Sequence, residues 1–157
     1  IYTSVHSVEQ EAAYRALRKG ITDFERRQFY RGPEGYVDLP ADAAARDAGI
    51  AEALDAHPDN DEIKAAVVLE ASPTQVRAML QSGDVITVTG EGLRPVTSGL
   101  AAKAPPQRQI RRGAVVRALQ LTEGRAKGSW SLTQLPEVQG ALVALDPRTG
   151  ALRAMVG

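Results

Sequence analysis

Between residues 57 and 63 the apolar pattern changes period, and no other feature constrains the fold as much. Upstream, apolar residues recur at helical spacing. Ala12, Ala13, Ala16 and Leu17 follow a Ser7-x-x-Gln10 capping box, with Gly20 placed as a helix-ending residue, so a helix is expected over 8–19. Residues 22–33, charged and aromatic, read as a loop. Ala43, Ile50 and Leu54 support a second helix over 42–56, weakened by Gly49 and ended by His57-Pro58-Asp59-Asn60. Downstream, the pattern becomes short β-type runs cut by Gly, Pro and Asp. Strands are expected over 63–71, 74–80, 85–89, 114–121 and 130–134, with a further short one at 1–5. Gly90, Gly92 and Pro95 mark a loop, and 96–112, with Pro105-Pro106, reads as a long excursion. Residues 138–145 and 151–156 flank Asp146-Pro147-Arg148-Thr149-Gly150, whose Asp, Pro and Gly suit a type I turn with a following bulge.

Short strands behind an N-terminal helix make the chain mainly β (α+β). The expected fold is a small, OB-like five-stranded barrel with an N-terminal helix and a C-terminal β-hairpin. Hydrophobic residues make up 43% of the 157, enough for a core.

Charge narrows the function. Nineteen Lys and Arg balance nineteen Asp and Glu, so no global field draws the chain to nucleic acid or an anionic membrane. The balance is uneven locally. Residues 94–127 carry Arg94, Lys103, Arg108, Arg111, Arg112, Arg117, Arg125 and Lys127 against Glu123 alone. No aromatic interrupts that stretch, whereas sequence-tolerant single-strand binding needs rings between the cations. A solvated Arg-rich face is therefore favoured over a groove.

Motifs for chemistry are missing. Without cysteine there are no disulfides, thiolate sites or Cys nucleophiles. His6 and His57 have no partner at metal-ligand spacing. Asp59, Asp61 and Glu62 lack the pattern of a calcium loop. Gly90-Glu91-Gly92 has neither the Lys-Ser/Thr pair nor the helix start of a phosphate cradle. No serine is followed three residues on by lysine, and there is no nucleophile elbow. No aliphatic run approaches a membrane span, and nothing resembles a signal peptide. No catalysis, metal or cofactor is expected. A start at Ile1 rather than Met reads as a fragment of something longer.

The C-terminal words carry a resemblance. Gln134-Leu135-Pro136-Glu137-Val138-Gln139-Gly140-Ala141-Leu142-Val143-Ala144-Leu145-Asp146-Pro147, then Thr149-Gly150, resemble the opening of the transpeptidase domain of class A penicillin-binding proteins, the 1A branch in particular. Residues 1–5 with the helix bearing Gln10, Ala13 and Leu17 look like the linker after that family's glycosyltransferase domain, and Tyr30-Arg31-Gly32-Pro33 with Gly35-Tyr36 like its next landmark. In that branch an OB-like domain occupies the middle position. The resemblance implies linker strand and helix on the transpeptidase side over 1–36, the inserted OB-like domain over 37–133, and the first hairpin of the transpeptidase sheet over 134–157.

The same resemblance implies a bifunctional peptidoglycan synthase as parent, periplasmic and anchored in the inner membrane. The transpeptidase signature Ser-x-x-Lys, Ser-x-Asn and Lys-Thr-Gly is absent here, and Arg148-Thr149-Gly150 is assigned to the hairpin turn. The expected role is a non-catalytic spacer and docking domain. Its implied partner is an outer-membrane lipoprotein activator or other cell-wall machinery. Peptidoglycan binding is the alternative; nucleic acid and direct membrane contact are not expected. Arg108, Arg111, Arg112, Arg125, Lys127 and Trp130 are the candidate interaction residues, although Trp130 is better suited to the barrel core. The hairpin is apolar on both alternating sets, so it should pack on the N-terminal helix or on another copy of the chain.

Overall fold

The computed structural model describes residues 3–157. They form two compact units, residues 1–27 with 136–157, and residues 28–135. The strand expected over 1–5 falls partly on residues 1 and 2, outside the described residues; residues 3–6 form no strand.

The first unit is one helix and one hairpin. Helix α1 (Ser7–Glu25) is about two turns longer than its spacing predicts. Its cap residue is His6, not Ser7, and no side-chain capping bond forms. Gln10 is committed elsewhere: its amide donates to Met155 O at 2.7 Å and accepts from Met155 N at 2.9 Å. The helix also runs through Gly20 instead of stopping there. Leu17 and Ile21, one turn apart on the far sides of that glycine, both pack at Gly140, where a Cβ would lie 3.0 and 3.2 Å from their Cδ1 atoms. Packing of this kind outweighs the roughly 1 kcal/mol that a helical glycine costs.

Strands β7 (Leu142–Leu145) and β8 (Leu152–Val156) pair antiparallel. Gly150 has φ 72° and its N–H donates to Asp146 O at 2.8 Å, while Asp146 Oδ1 accepts from Arg148 N and Thr149 N. Arg148-Thr149-Gly150 is thus a hairpin turn. One face of the hairpin packs on α1 and buries Ala154. Val143, Leu145 and Met155 lie on the exposed face.

The second unit holds β1 (Gly35–Tyr36), α2 (Ala43–Asp55), β2 (Lys64–Ala71), β3 (Gln75–Leu80), β4 (Val85–Thr89), β5 (Ala114–Gln120) and β6 (Trp130–Thr133). The sheet order is β1-β5-β2-β3-β4, antiparallel throughout, with β6 also on β5. The two-residue β1 has no counterpart in the sequence reading. β2 takes one edge of β5, so β1 and β6 share the other, end to end.

The sheet curls into an OB-like barrel that hydrogen bonds do not close. A 3₁₀ helix (Gly90–Val96) and α3 (Thr97–Leu100) stand where an open loop is expected, and the 3₁₀ helix fills the seam between β4 and β6. A Cβ on Gly92 would sit 2.3 Å from Trp130 O and 2.8 Å from Val88 Cγ1, so the seam admits only glycine there.

Two cores flank the central strand. Ala66, Val68, Val76, Ala78, Val88, Val116, Ala118 and Leu132 fill the barrel, with Trp130 packed at the edge of this cluster. On the outer face Ile50 and Leu54 of α2 cover Ala65, Val67, Leu69, Met79 and Val115. β2 is therefore buried on both faces, which is why residues 65–69 are continuously apolar rather than alternating. α2 is started by Asp42, whose carboxylate accepts from Ala45 N at 2.9 Å.

Candidate interaction surface

The six candidate residues do not form one surface. Arg108, Arg111 and Arg112 precede β5; Arg125, Lys127 and Trp130 follow it. The seven residues of β5 separate the two groups by roughly 23 Å at about 3.3 Å per residue. Arg125 and Lys127 are exposed on the β5–β6 loop. Arg117, also basic, is not at the surface at all. It is buried in β5, paired with Glu34 and donating to Pro58 O at 2.7 Å.

Glycine geometry builds the first group. Residues 29–37 lie directly along the 107–113 segment because two glycines let the backbones touch. Gly32 has φ 111°, and a Cβ there would be 2.9 Å from Gln107 O. Gly113 has φ 89°, and a Cβ there would be 2.1 Å from Val37 O. Val37 N donates to Gly113 O at 2.8 Å and fixes the register.

This contact supplies the rings that the basic stretch lacks in sequence. The Arg108 guanidinium lies 4.9 Å from the centre of the Phe29 ring, and that of Arg111 lies 4.0 Å from the centre of Tyr36. Phe29 and Tyr36 were missed as surface residues because they lie some 75 residues upstream; the only signal was the Tyr30–Tyr36 landmark. Tyr36 Oη is 2.9 Å from Pro106 O and 2.7 Å from Gln109 O, so its proton has two carbonyls to choose between. Partial burial raises its pKa above the ordinary tyrosine value, although the Arg111 cation acts the other way. Burial, reinforced by the neighbouring Tyr36 and Glu34, pushes Tyr30 further up. Arg112 is anchored separately, its Nη1 donating to Leu69 O at 3.1 Å.

Arg111, Arg112 and Gln109 line an open cleft of about 540 Å³ between the β2–β3 turn and the segment before β5. Ala71, Pro73, Leu100 and Ala101 form its apolar wall. Glu70 is at the rim, held by Arg77 at 3.2 Å. Among the described residues no carboxylate lies within 4.0 Å of Arg108, Arg111 or Arg112.

Beside the arginine segment, at Phe29 and Arg31, the two chain crossings are latched. Gln134 Oε1 accepts from Arg31 N at 2.9 Å, and Gln134 Nε2 donates to Phe29 O at 3.1 Å. Arg31 Nη2 reaches Leu135 O at 2.5 Å. A buried glutamine thus stands in for one more rung of sheet.

Among the described residues no group of three or more His, Asp and Glu is placed to hold a metal, and no helix is long and apolar enough to cross a membrane.

Residues 30–138 match the family model of the penicillin-binding protein OB-like domain. This chain belongs to the class A penicillin-binding proteins of the 1A type, as their OB-like domain. Over its whole length it is 37% identical to penicillin-binding protein 1A of Neisseria lactamica and 32% identical to that of Escherichia coli K12. A crystal structure of penicillin-binding protein 1A from Haemophilus influenzae superposes on the whole chain with a TM-score of 0.73 at 28% identity, using 22% of that protein. The chain spans about a fifth of its curated relatives, 19% in each of these two. The OB-like domain of this family is the curled, unclosed sheet described above, and the arginine cleft and the glutamine latch both lie in it.

Proposed function

We propose that the OB-like domain is a non-catalytic spacer, set between the glycan-polymerising and peptide-cross-linking domains of a periplasmic, inner-membrane-anchored peptidoglycan synthase. It also presents a docking surface to an outer-membrane lipoprotein activator or other cell-wall machinery. The flanking residues 1–36 and 134–157 belong on the transpeptidase side. One observation carries the spacer reading. Gln134 ties the point where the chain enters the domain, Phe29 and Arg31, to the point where it leaves. An insertion closed at its base in this way transmits position to its neighbours as a rigid body, whereas a loosely tethered one does not.

The test is made in the full-length synthase. Residues 30–134 are replaced by a flexible linker, and glycan polymerisation and peptide cross-linking are measured separately. Polymerisation should persist, while cross-linking per unit of glycan and stimulation by the activator should both fall. Unchanged cross-linking with unchanged stimulation would defeat both the spacer and the docking role.

Binding of peptidoglycan itself is supported by a different observation, the cleft lined by Arg111 and Arg112.

A further inference from the structure

We propose that the cleft before β5 binds the free carboxylate of a short peptide, with Arg111 and Arg112 as the carboxylate-holding residues and the stem peptide of the cell-wall polymer as its source. The choice of source rests on the family reading above; the choice of a peptide carboxylate does not.

Four observations lead there. The first is the missing counter-charge. Arg77, Arg117 and Lys64 each have a carboxylate partner, but Arg108, Arg111 and Arg112 have none among the described residues. Glu70, the acid at the rim, is already neutralised by Arg77 and does not repel an incoming anion.

The second is rigidity. A free arginine loses about 2 kcal/mol of rotamer entropy when it binds. Arg111 is laid flat on Tyr36, whose hydroxyl is itself tied to the backbone of 106–109. Arg112 is tethered through one nitrogen to Leu69 O. Stacking and tethering fix each guanidinium yet leave N–H groups unspent, the form best suited to bidentate capture of a carboxylate.

The third is the occupied ring. A sugar would stack on the face of an aromatic, but no aromatic is among the described residues that line the cleft, and the nearby Tyr36 ring is engaged by Arg111. Peptide carboxylate is therefore favoured over the sugar ring of the same polymer.

The fourth is size. About 540 Å³ falls in the range of small-ligand clefts and suits a few residues of peptide. A folded protein partner would need roughly 800 Å² of surface per side. The wall of Ala71, Pro73, Leu100 and Ala101 accommodates short aliphatic side chains beside the carboxylate.

Binding is read by titrating the 157-residue chain with three probes: a muropeptide bearing free stem carboxylates, the same muropeptide with those carboxylates amidated, and the unsubstituted disaccharide. The free acid should bind, and the amide and the disaccharide should bind at least about tenfold more weakly, the worth of one charge-assisted hydrogen bond. R111Q and R112Q should each lose about the same factor, with melting temperatures near that of the parent, while R125Q beyond the far end of β5 should bind normally. Equal binding of acid and amide, or binding unaffected by R111Q and R112Q together, would overturn the proposal. A fourth probe, a short Glu-containing peptide unrelated to the cell wall, separates the two layers. If it binds through Arg111 and the muropeptide does not, the assigned source is wrong. The linker replacement in the full-length synthase reports on the spacer reading independently of either result.

Discussion

Arg117 and Glu34 meet as a two-pronged ion pair across the β1–β5 edge, with Nη2 2.8 Å from Oε1. The Arg117 side chain is 3% exposed and that of Glu34 29%. Arg117 also donates to Pro58 O, so its burial is accompanied by acceptors on several sides of the guanidinium. Removing the carboxylate would strand a charge inside the wall. E34A should therefore cost about 3 kcal/mol, the low end for a broken buried pair because Glu34 is partly solvated. The surface pair Arg77–Glu70 serves as control, and E70A should cost less than about 1 kcal/mol. Urea denaturation of the two variants decides: equal midpoints would mean that the Arg117 pair is no more than a surface contact.

Backbone contact at Gly113 holds residues 29–37 against the arginine segment. G113A pays twice, once for a side chain at φ 89° and again for a Cβ placed 2.1 Å from Val37 O. About 3 kcal/mol or more should be lost, the strain and overpacking costs combined. Gly124 has φ 79° and nothing within 4 Å, so G124A pays for the left-handed backbone alone, about 1 kcal/mol. Thermal melts of both variants measure the difference. If they fall together, the close approach of Val37 to Gly113 carries no energy of its own.

These two sites also mark the limit of what could be read in advance. The strands β2 to β6 were legible because each is a β-type run between turn residues, and α2 because Ala43, Ile50 and Leu54 recur at helical spacing. The end of α1 was not, since Gly20 is a stop signal in isolation and becomes an interior residue only once Leu17 and Ile21 find Gly140. Gln10 was misread for the same reason, as its partner lies 145 residues away. The arginine cluster looked continuous in sequence but β5 divides it, and its aromatic partners Phe29 and Tyr36 become neighbours only through Gly32 and Gly113. Local patterns report local structure. Pairings that depend on close approach of distant backbones leave no periodic trace.

Gln10 acts as a substitute strand at the open edge of β8. Its amide makes both the donor and the acceptor bond to Met155 that a neighbouring strand would make. Q10A should free both groups to water, which costs about 1 kcal/mol or less at this exposed site. The clearer readout is local. Hydrogen exchange at the Met155 amide should accelerate in Q10A and in Q10L, whereas exchange at Ala144 and Ala154, which face each other inside the hairpin, should change little. Unchanged protection at Met155 would show that the edge is held by α1 packing alone.

Alkaline pH should weaken the second unit, with Tyr30 contributing more than Tyr36. Tyr30 is 3% exposed, and its burial raises its pKa well above the ordinary 10.0; Tyr36 moves the same way, also through burial. Above pH 10.0 the unfolded chain gives up tyrosine protons that the folded chain keeps. The unfolded state then binds fewer protons than the native one, so stability falls as pH rises and is fully present below that value. For Tyr30 the slope approaches about 1.4 kcal/mol per pH unit until the folded protein itself ionises. Urea midpoints collected from neutral pH upward should stay flat with respect to these groups and then decline past pH 10. Y30F removes one titrating group and should flatten the decline by about that slope, while tyrosinate absorbance of the folded parent should show a late-titrating component that Y30F lacks. A decline of the same steepness in parent and Y30F would place the alkaline sensitivity outside the barrel core.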